Sequence, residues 1–329
     1  MEEIKNEMNR ADELYQNGKF FEASFSYQGI LKDIKGKKIS QEDTDLIKNR
    51  LKESILKSKN EYKELSTEVV IDETMIEQIN TVNNGIFEKV GNDFSNLLTL
   101  IFSTTFIGSL ESNEKTTKKT LPLTYQIASF SSHTEQGYLS ANNDDFSPIE
   151  LWSFQTYGME QMMKVYFHIN PILRKLTENK VFDLNSFELV LKNKGLCPNG
   201  NELIVLKQAI KVYLEKDFIS ALHILVPQFE NLLLMISERA GIQTTAIERG
   251  KTITKRITLS DLTLKSDEMT KIFGKDYCFY LRYVLYSPLG LSIRHKIAHG
   301  NIDNAECNEN NCNLVLVGLL ILLNKVQKI

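Results

Sequence analysis

One short stretch near the C-terminal end of the sequence gathers the side chains best suited to chemistry on a phosphate. Arg294 and His299 lie five positions apart, with His295 and Lys296 between them. A guanidinium group is permanently charged and can grip two phosphate oxygens at once. An imidazole can take up or release a proton near neutral pH. These residue types predict acid–base chemistry on a phosphate ester, with Arg294 holding the phosphate.

The direction of these side chains depends on the local backbone. Successive residues of an α-helix turn by about 100°, so Arg294 and His299 would point about 140° apart in a regular helix. His295 and His299 would instead share one face. Pro288 and Gly290 favour a helix start just before the motif, and at such a start or an irregular turn Arg294 and His299 would converge.

A purely structural role is the alternative for the same residues. Arg294 would then pair with a carboxylate, and His299 would lie at the helix C-terminus before Gly300. A metal site at His295 and His299 would need Cys307 or Cys312 as a further ligand, and no third ligand has convincing spacing. We therefore expect no metal and no cofactor.

The composition sets limits on the class of protein. The net charge of −3 argues against a broadly basic surface for nucleic acid, although it leaves room for a local basic groove. The four cysteines form no CxxC pair, which favours free thiols in a reducing cytoplasm. The apolar run Leu314–Leu323 is too short to cross a bilayer. The N-terminus is polar, without the pattern of a signal peptide. We expect a cytoplasmic protein with no membrane contact.

The periodicity of apolar residues predicts an all-α protein. Residues 1–65 read as three helices, the first two joined at Gly18 like a tetratricopeptide-type hairpin. Two polar stretches, Leu110–Leu121 and Ser131–Phe146, are predicted to be loops. We expect an N-terminal helical regulatory or interaction region over residues 1–200. A C-terminal helical domain is expected over residues 201–329.

The C-terminal part has three further predicted features. A densely apolar helix begins near Asp217, contains Pro227 and ends near Gly241. Gly241–Ser260 is rich in β-branched residues and predicts an extended loop or a short hairpin. The last helix, which includes Leu314–Leu323, is predicted to be buried, with Gly318 allowing a close neighbour.

An Arg and a His separated by four to six residues, with a polar residue after the Arg, resemble the motif of the HEPN (higher eukaryotes and prokaryotes nucleotide-binding) superfamily. Pro288–Gly300 is similar to the C-terminal motif of a bacterial HEPN-like family, and so is His223–Asn231. Members of that family carry a helical region in front. The resemblance covers roughly residues 90–329 and is specific only in these two segments.

The resemblance implies metal-independent cleavage of RNA in a homodimer. The ribose 2′-hydroxyl would attack the adjacent phosphate and leave a 2′,3′-cyclic phosphate. His299 would act as general acid or base, Arg294 would hold the phosphate, and His295 would orient or assist. Glu230, on the predicted apolar helix, would position the Arg or a His by a hydrogen bond.

The resemblance also suggests partners and a biological role. Lys296 would contact the RNA, and a basic loop would guide its backbone; that loop carries Arg249, Lys251, Lys255 and Arg256. The expected setting is anti-phage defence or a toxin, with a regulatory or antitoxin protein bound to the N-terminal helices. A solvated loop is the plainer interpretation of the basic residues. The leading alternative function is a non-catalytic module that binds RNA, a nucleotide or a protein.

Overall fold

The structure is a computed structural model of the chain. It describes residues 2–34, 40–58, 71–101, 105–123, 125, 131–133, 139–142, 146–195, 201–247, 254–257 and 259–326. The fold is all-α, which confirms the class predicted from the periodicity. The strands among the described residues are confined to two short hairpins.

The contacts divide the chain into two units. Unit 1 comprises residues 1–70 and 127–147, and unit 2 comprises residues 71–126 and 148–329. This division differs from the predicted boundary at residue 200. The reason is that the hydrophobic core of unit 2 draws on residues from Ile86 to Leu323, so helices on both sides of residue 200 share it.

The described residues of unit 1 form three helices and one hairpin: α1 (Glu2–Gln16), α2 (Phe20–Asp33), α3 (Gln41–Ser58), β1 (Ser131–His133) and β2 (Leu139–Asn142). Gly18, with φ of 75°, makes the turn between α1 and α2 as expected from the sequence. A small core around Ala11, Tyr27 and Ile47 joins the three helices, all three side chains being fully buried. Strand pairing of Ser131 with Asn142 corrects the loop predicted over Ser131–Phe146.

Unit 2 begins with α4 (Glu73–Val90), α5 (Ser95–Leu100), α6 (Leu110–Thr120) and α7 (Pro148–Lys164). A π-helical turn, Val165–Ile169, then leads into α8 (Asn170–Glu178), α9 (Leu184–Asn193) and α10 (Asn201–Leu214). Helix α6 corrects the loop predicted over Leu110–Leu121. Its buried face is polar, because Asn113 donates to the hydroxyl of Ser153 at 2.8 Å and the Thr117 and Thr156 hydroxyls lie 3.2 Å apart. No apolar stripe therefore marked it in the sequence.

The remainder of unit 2 starts with α11 (Phe218–Arg239), followed by the hairpin β3 (Thr245–Ile247) and β4 (Thr254–Arg256). Next come α12 (Asp261–Leu264), α13 (Asp267–Phe273), α14 (Lys275–Leu281) and a second π-helical turn, Arg282–Tyr286. The chain then forms α15 (Ile293–Ala298), a 3₁₀ turn (Asn304–Glu306) and α16 (Glu309–Lys325). The β3–β4 hairpin agrees with the prediction for Gly241–Ser260.

Helix α16 runs through the core and carries the predicted close approach at Gly318. Tyr277 donates its hydroxyl to the Gly318 carbonyl at 2.7 Å, and a Cβ at residue 318 would lie 3.4 Å from the Tyr280 ring. Helix α11 is, among the described residues, the one helix long and apolar enough to span a bilayer. Half of its most apolar window is buried inside the protein, as is usual for a core helix.

Candidate functional site

The second π-helical turn, Arg282–Tyr286, anchors the loop that leads into the Arg–His motif. Arg282 opens this turn with its guanidinium clamped, Nε donating to Asp261 at 2.8 Å and Nη2 to Glu150 at 3.2 Å. The carbonyl of Tyr283 accepts a hydrogen bond from the Leu291 backbone at 2.7 Å. A Cβ at Gly290 would lie 2.1 Å from that carbonyl oxygen, so this position accepts only glycine without a shift of the backbone.

Helix α15 is bounded on both sides by left-handed residues. Ser292 precedes it with φ of 51°, and Ile293 buries its side chain to start it. At the other end Gly300 has φ of 65°. Gly300 N donates to the Ile297 carbonyl at 3.1 Å, and Asn301 N to the Lys296 carbonyl at 2.8 Å. These bonds form a Schellman motif, so the motif residues lie on one regular helical segment that stops at Gly300.

Arg294 is held from one side by a carboxylate on α11. Its Nε donates to Oε2 of Glu230 at 2.9 Å, and the two side chains are 22% and 15% exposed. The described residues provide no partner for the two Nη groups. Glu230 therefore fixes the direction of the guanidinium, while the outer edge of the guanidinium stays available.

His295 and His299 form a second pair on the same helix. Their ring centroids are 4.3 Å apart at an angle of 52°, and both residues are exposed. Partial burial, the neighbouring His299 and the Arg294 charge together lower the pKa of His295 below its usual value of 6.5. The lowered pKa favours the neutral imidazole, which is the form that accepts a proton.

Arg294 and His299 do not converge at an irregular helix start. The start of α15 precedes Arg294, the helix is regular up to Ala298, and His299 is its C-cap residue with φ of −101°. The regular turns between Arg294 and His299 lead us to expect that the two side chains point about 140° apart. No contact between them is present among the described residues. The structure thus brings together Arg294 with Glu230 and His295 with His299, but joins neither pair to the other by direct contact.

The structure describes only some of the residues that were predicted to contact RNA. Lys296 is ion-paired with Glu306 of the following 3₁₀ turn, so its ammonium is shared with a carboxylate. Lys255 and Arg256 lie on β4, with only their backbone described. Arg249 and Lys251 lie outside the described residues.

Tyr286 belongs to this site and was not singled out from the sequence. Its hydroxyl and Oε1 of Glu230 are both buried and lack a hydrogen-bond partner among the described residues. Burial and the Glu230 charge raise the pKa of Tyr286 far above its usual value of 10, against the opposing effect of Arg294. The sequence held no signal for it, because a tyrosine in an apolar helical run normally serves the core.

Cys307 and Cys312, the two thiols considered as metal ligands, differ in burial and in contacts. Cys312 is buried, and its Sγ lies 3.5 Å from the Phe218 carbonyl. Cys307 is half-buried and free. In the part of the chain that the structure describes, no three His, Cys, Asp or Glu side chains are grouped so as to hold a metal ion.

Comparison with protein-family models, with curated proteins and with solved structures gave no match to this chain. The likeness to a HEPN-like family therefore rests on the two segments Pro288–Gly300 and His223–Asn231 alone. The functional argument has to stand on the chemistry of the site.

Proposed function

We propose that this protein is a metal-independent endoribonuclease that cuts RNA by internal attack of the 2′-hydroxyl. The observation that carries the proposal is the state of Arg294. Glu230 binds its Nε edge, and the Nη edge stays open on the helix that also bears the exposed His295–His299 pair. A pre-oriented guanidinium and two imidazoles on the same short helix are the groups that phosphodiester cleavage needs.

The reaction balances with these residues alone. One imidazole takes the proton of the 2′-hydroxyl, and the 2′-oxygen forms a bond to phosphorus. The bond from phosphorus to the 5′-oxygen breaks, and an imidazolium gives that oxygen its proton. The products are a 2′,3′-cyclic phosphate and a 5′-hydroxyl, and Arg294 offsets the charge that grows on the phosphate oxygens.

The lowered pKa of His295 supports a role for it as the base. A neutral imidazole is required at the start of the reaction, and the lowered pKa of His295 favours that form. His299 would then supply the proton to the leaving oxygen. This assignment gives His295 a larger part than the accessory role implied by the family resemblance.

A homodimer would bring an arginine and the histidines to the same phosphate. Arg294 and His299 point in different directions on one regular helix, so a single copy does not aim both at one phosphate. Two copies packed with their α15 helices together would place an arginine from one beside the histidines of the other. We include a homodimeric composite site in the proposal.

The proposed biological setting rests on analogy with the HEPN-like family and on a groove in unit 1. A cytoplasmic nuclease of this type would serve anti-phage defence or act as a toxin, and would need restraint. A groove of about 530 Å³ lies between α1 and α2 and includes Leu14 and the half-exposed Phe25. This groove is where we place a regulatory or antitoxin protein.

The decisive experiment is RNA cleavage in excess EDTA by the full chain and by the variants His299→Ala, His295→Ala and Arg294→Ala. Wild type should release ends with a 2′,3′-cyclic phosphate, and each variant should lose about 100-fold or more in rate. Arg174→Ala is the matched control, since Arg174 also pairs with a carboxylate, Glu309. Cleavage that survives in the motif variants would refute the assignment.

The second candidate is a binding module without catalysis. The ion pair between Arg294 and Glu230 favours it, because a structural arginine would look the same. The discriminating measurement is RNA affinity beside cleavage. RNA that binds without cleavage by any assembly state, with affinity unchanged in His299→Ala, would establish the binding module.

A further inference from the structure

A second concave site lies in unit 2, away from the Arg–His motif in sequence. It is a cavity of about 350 Å³ between α4 and the C-terminal part of α7, at the low end of the size range of ligand pockets. Its walls contain apolar and charged side chains together: Val82, Thr105, Glu160, Met163, Lys164, Phe167 and His168. Val82 and Met163 are 43% and 36% exposed, so the cavity opens to solvent.

The imidazole of His168 is fixed in one tautomer. Asn83, which is 5% exposed, donates its Nδ2 to the Phe167 carbonyl at 2.8 Å. Its Oδ1 must then face Nδ1 of His168, 2.8 Å away, and this oxygen can only accept. Nδ1 therefore carries the proton, and Nε2 is a hydrogen-bond acceptor with no partner among the described residues.

The backbone that carries His168 departs from a regular α-helix. His168 and Phe167 belong to the π-helical turn Val165–Ile169, in which Asn170 N bonds back to the Val165 carbonyl. Such turns interrupt the regular ladder of a helix and occur frequently at functional sites. Asn83 uses the Phe167 carbonyl in this turn and orients His168 with the same amide.

A charged pair completes the polar side of the cavity. Glu160 and Lys164 approach to 3.2 Å, with side chains 38% and 16% exposed. Burial, followed by the Lys164 charge, lowers the pKa of His168 below its usual value of 6.5. The cavity thus presents a neutral acceptor nitrogen, a carboxylate and an ammonium group beside the apolar side chains of Met163 and Phe167.

We propose that this cavity binds a guanine base. A guanine ring carries a carbonyl oxygen next to an N–H and an amino group on one edge, and no other base has this order. Lys164 would donate to the carbonyl, and Glu160 would accept from the ring N–H and the amino group. His168 Nε2 would accept the remaining amino hydrogen, and Met163 and Phe167 would cover the ring faces.

A free guanine nucleotide and an unpaired guanine in RNA present the same ring edge to this cavity.

The test is isothermal titration calorimetry of the full chain in EDTA. The free probes are guanosine and adenosine 5′-monophosphate with ribose 5-phosphate as the blank. The chain probes are uncleavable 2′-O-methyl RNA trimers that contain one guanine or one adenine. We expect guanine to bind about tenfold or more tightly than adenine.

Glu160→Gln supplies the site-specific variant. Glu160 is partly exposed, and the amide keeps its shape, so folding should be retained while guanine affinity falls about tenfold. Glu188→Gln is the matched control, because Glu188 also pairs with the lysine four residues on, Lys192, at 2.6 Å. That variant should bind guanine like wild type.

The outcomes separate the sources and the proposals. Binding of guanosine monophosphate assigns the cavity to a free nucleotide, and binding of the guanine trimer alone assigns it to a base within RNA. No binding, equal binding of adenine, or an unchanged affinity in Glu160→Gln would overturn the site. No step requires cleavage, so failure of the nuclease proposal would leave this result standing.

Discussion

At the scale of single residues, the candidate site depends on which edge of each polar side chain is already used. Glu230 uses one oxygen for Arg294 and leaves the other buried without a partner among the described residues, as is the hydroxyl of Tyr286. A buried polar atom without a hydrogen bond costs about 1–3 kcal/mol. The neighbourhood of Arg294 therefore carries a local cost that a purely apolar core would avoid.

Tyr286→Phe tests this cost. Removing an unsatisfied hydroxyl should raise the free energy of unfolding by about 1 kcal/mol, measured by urea denaturation. Tyr280→Phe is the control, because the Tyr280 hydroxyl donates to the Leu314 carbonyl at 2.7 Å and its loss should destabilise by a similar amount. A destabilised Tyr286→Phe would mean that its hydroxyl has a partner.

His295 yields a prediction about pH. Burial and positive neighbours disfavour its protonated form and lower its pKa below the usual 6.5, so the loss of cleavage rate in acid, where His295 becomes protonated, should be shifted to lower pH. Histidine NMR titration of the full chain should show this, and His299→Gln should move the pKa of His295 back up. His223→Gln, an exposed histidine, should leave it unchanged. A pKa at or above 6.5 would contradict the prediction.

At the scale of elements, two π-helical turns place the two candidate sites. The turn Arg282–Tyr286 supports the motif loop, and the turn Val165–Ile169 carries His168. Helix α15 has only six residues, so it depends on its anchors more than on intrinsic helix stability. Its position is decided by the contact of Gly290 with the Tyr283 carbonyl.

Gly290→Ala should break that contact. The added Cβ would lie 2.1 Å from the carbonyl oxygen, so the backbone must shift and the free energy of unfolding should fall by about 1–3 kcal/mol. Gly29→Ala is the control, since a Cβ there meets nothing within 4 Å and a helical alanine should stabilise by about 0.5–1 kcal/mol. Equal stability of the two variants would refute the anchoring role.

At the scale of the whole molecule, unit 2 is one core and not a separate C-terminal domain. Asn313 of α16 is fully buried. It accepts from the Tyr213 hydroxyl at 2.6 Å and donates to Asn170 at 2.8 Å. The bond to Asn170 joins helices on the two sides of residue 200, so a cut there would leave a buried polar group without its partner.

Two fragments test this organisation. Residues 71–329 should unfold cooperatively, because they keep the whole core of unit 2. Residues 201–329 should lack a cooperative transition, since they lose α4 to α9 and Asn170, one of the two hydrogen-bond partners of Asn313. Thermal denaturation followed by circular dichroism distinguishes them, and cooperative unfolding of the shorter fragment would restore the boundary near residue 200.

The sequence by itself determined the helical class, the hairpin at Gly18, the buried final helix and the stop of α15 at Gly300. These features follow from apolar periodicity and from backbone freedom at glycine, which are local properties. It also named Glu230 as a residue that would orient the Arg or a His, and the long-range contact shows Arg294 as its partner.

Only the tertiary structure decided the remainder. Helix α6 was missed because its buried face is polar and finds its partners on α7. Tyr286 and the Asn83–His168 pair gain meaning from neighbours that are distant in sequence, with Asn83 and His168 lying 85 residues apart. Burial and hydrogen-bond partners arise from such long-range contacts, so no local pattern records them.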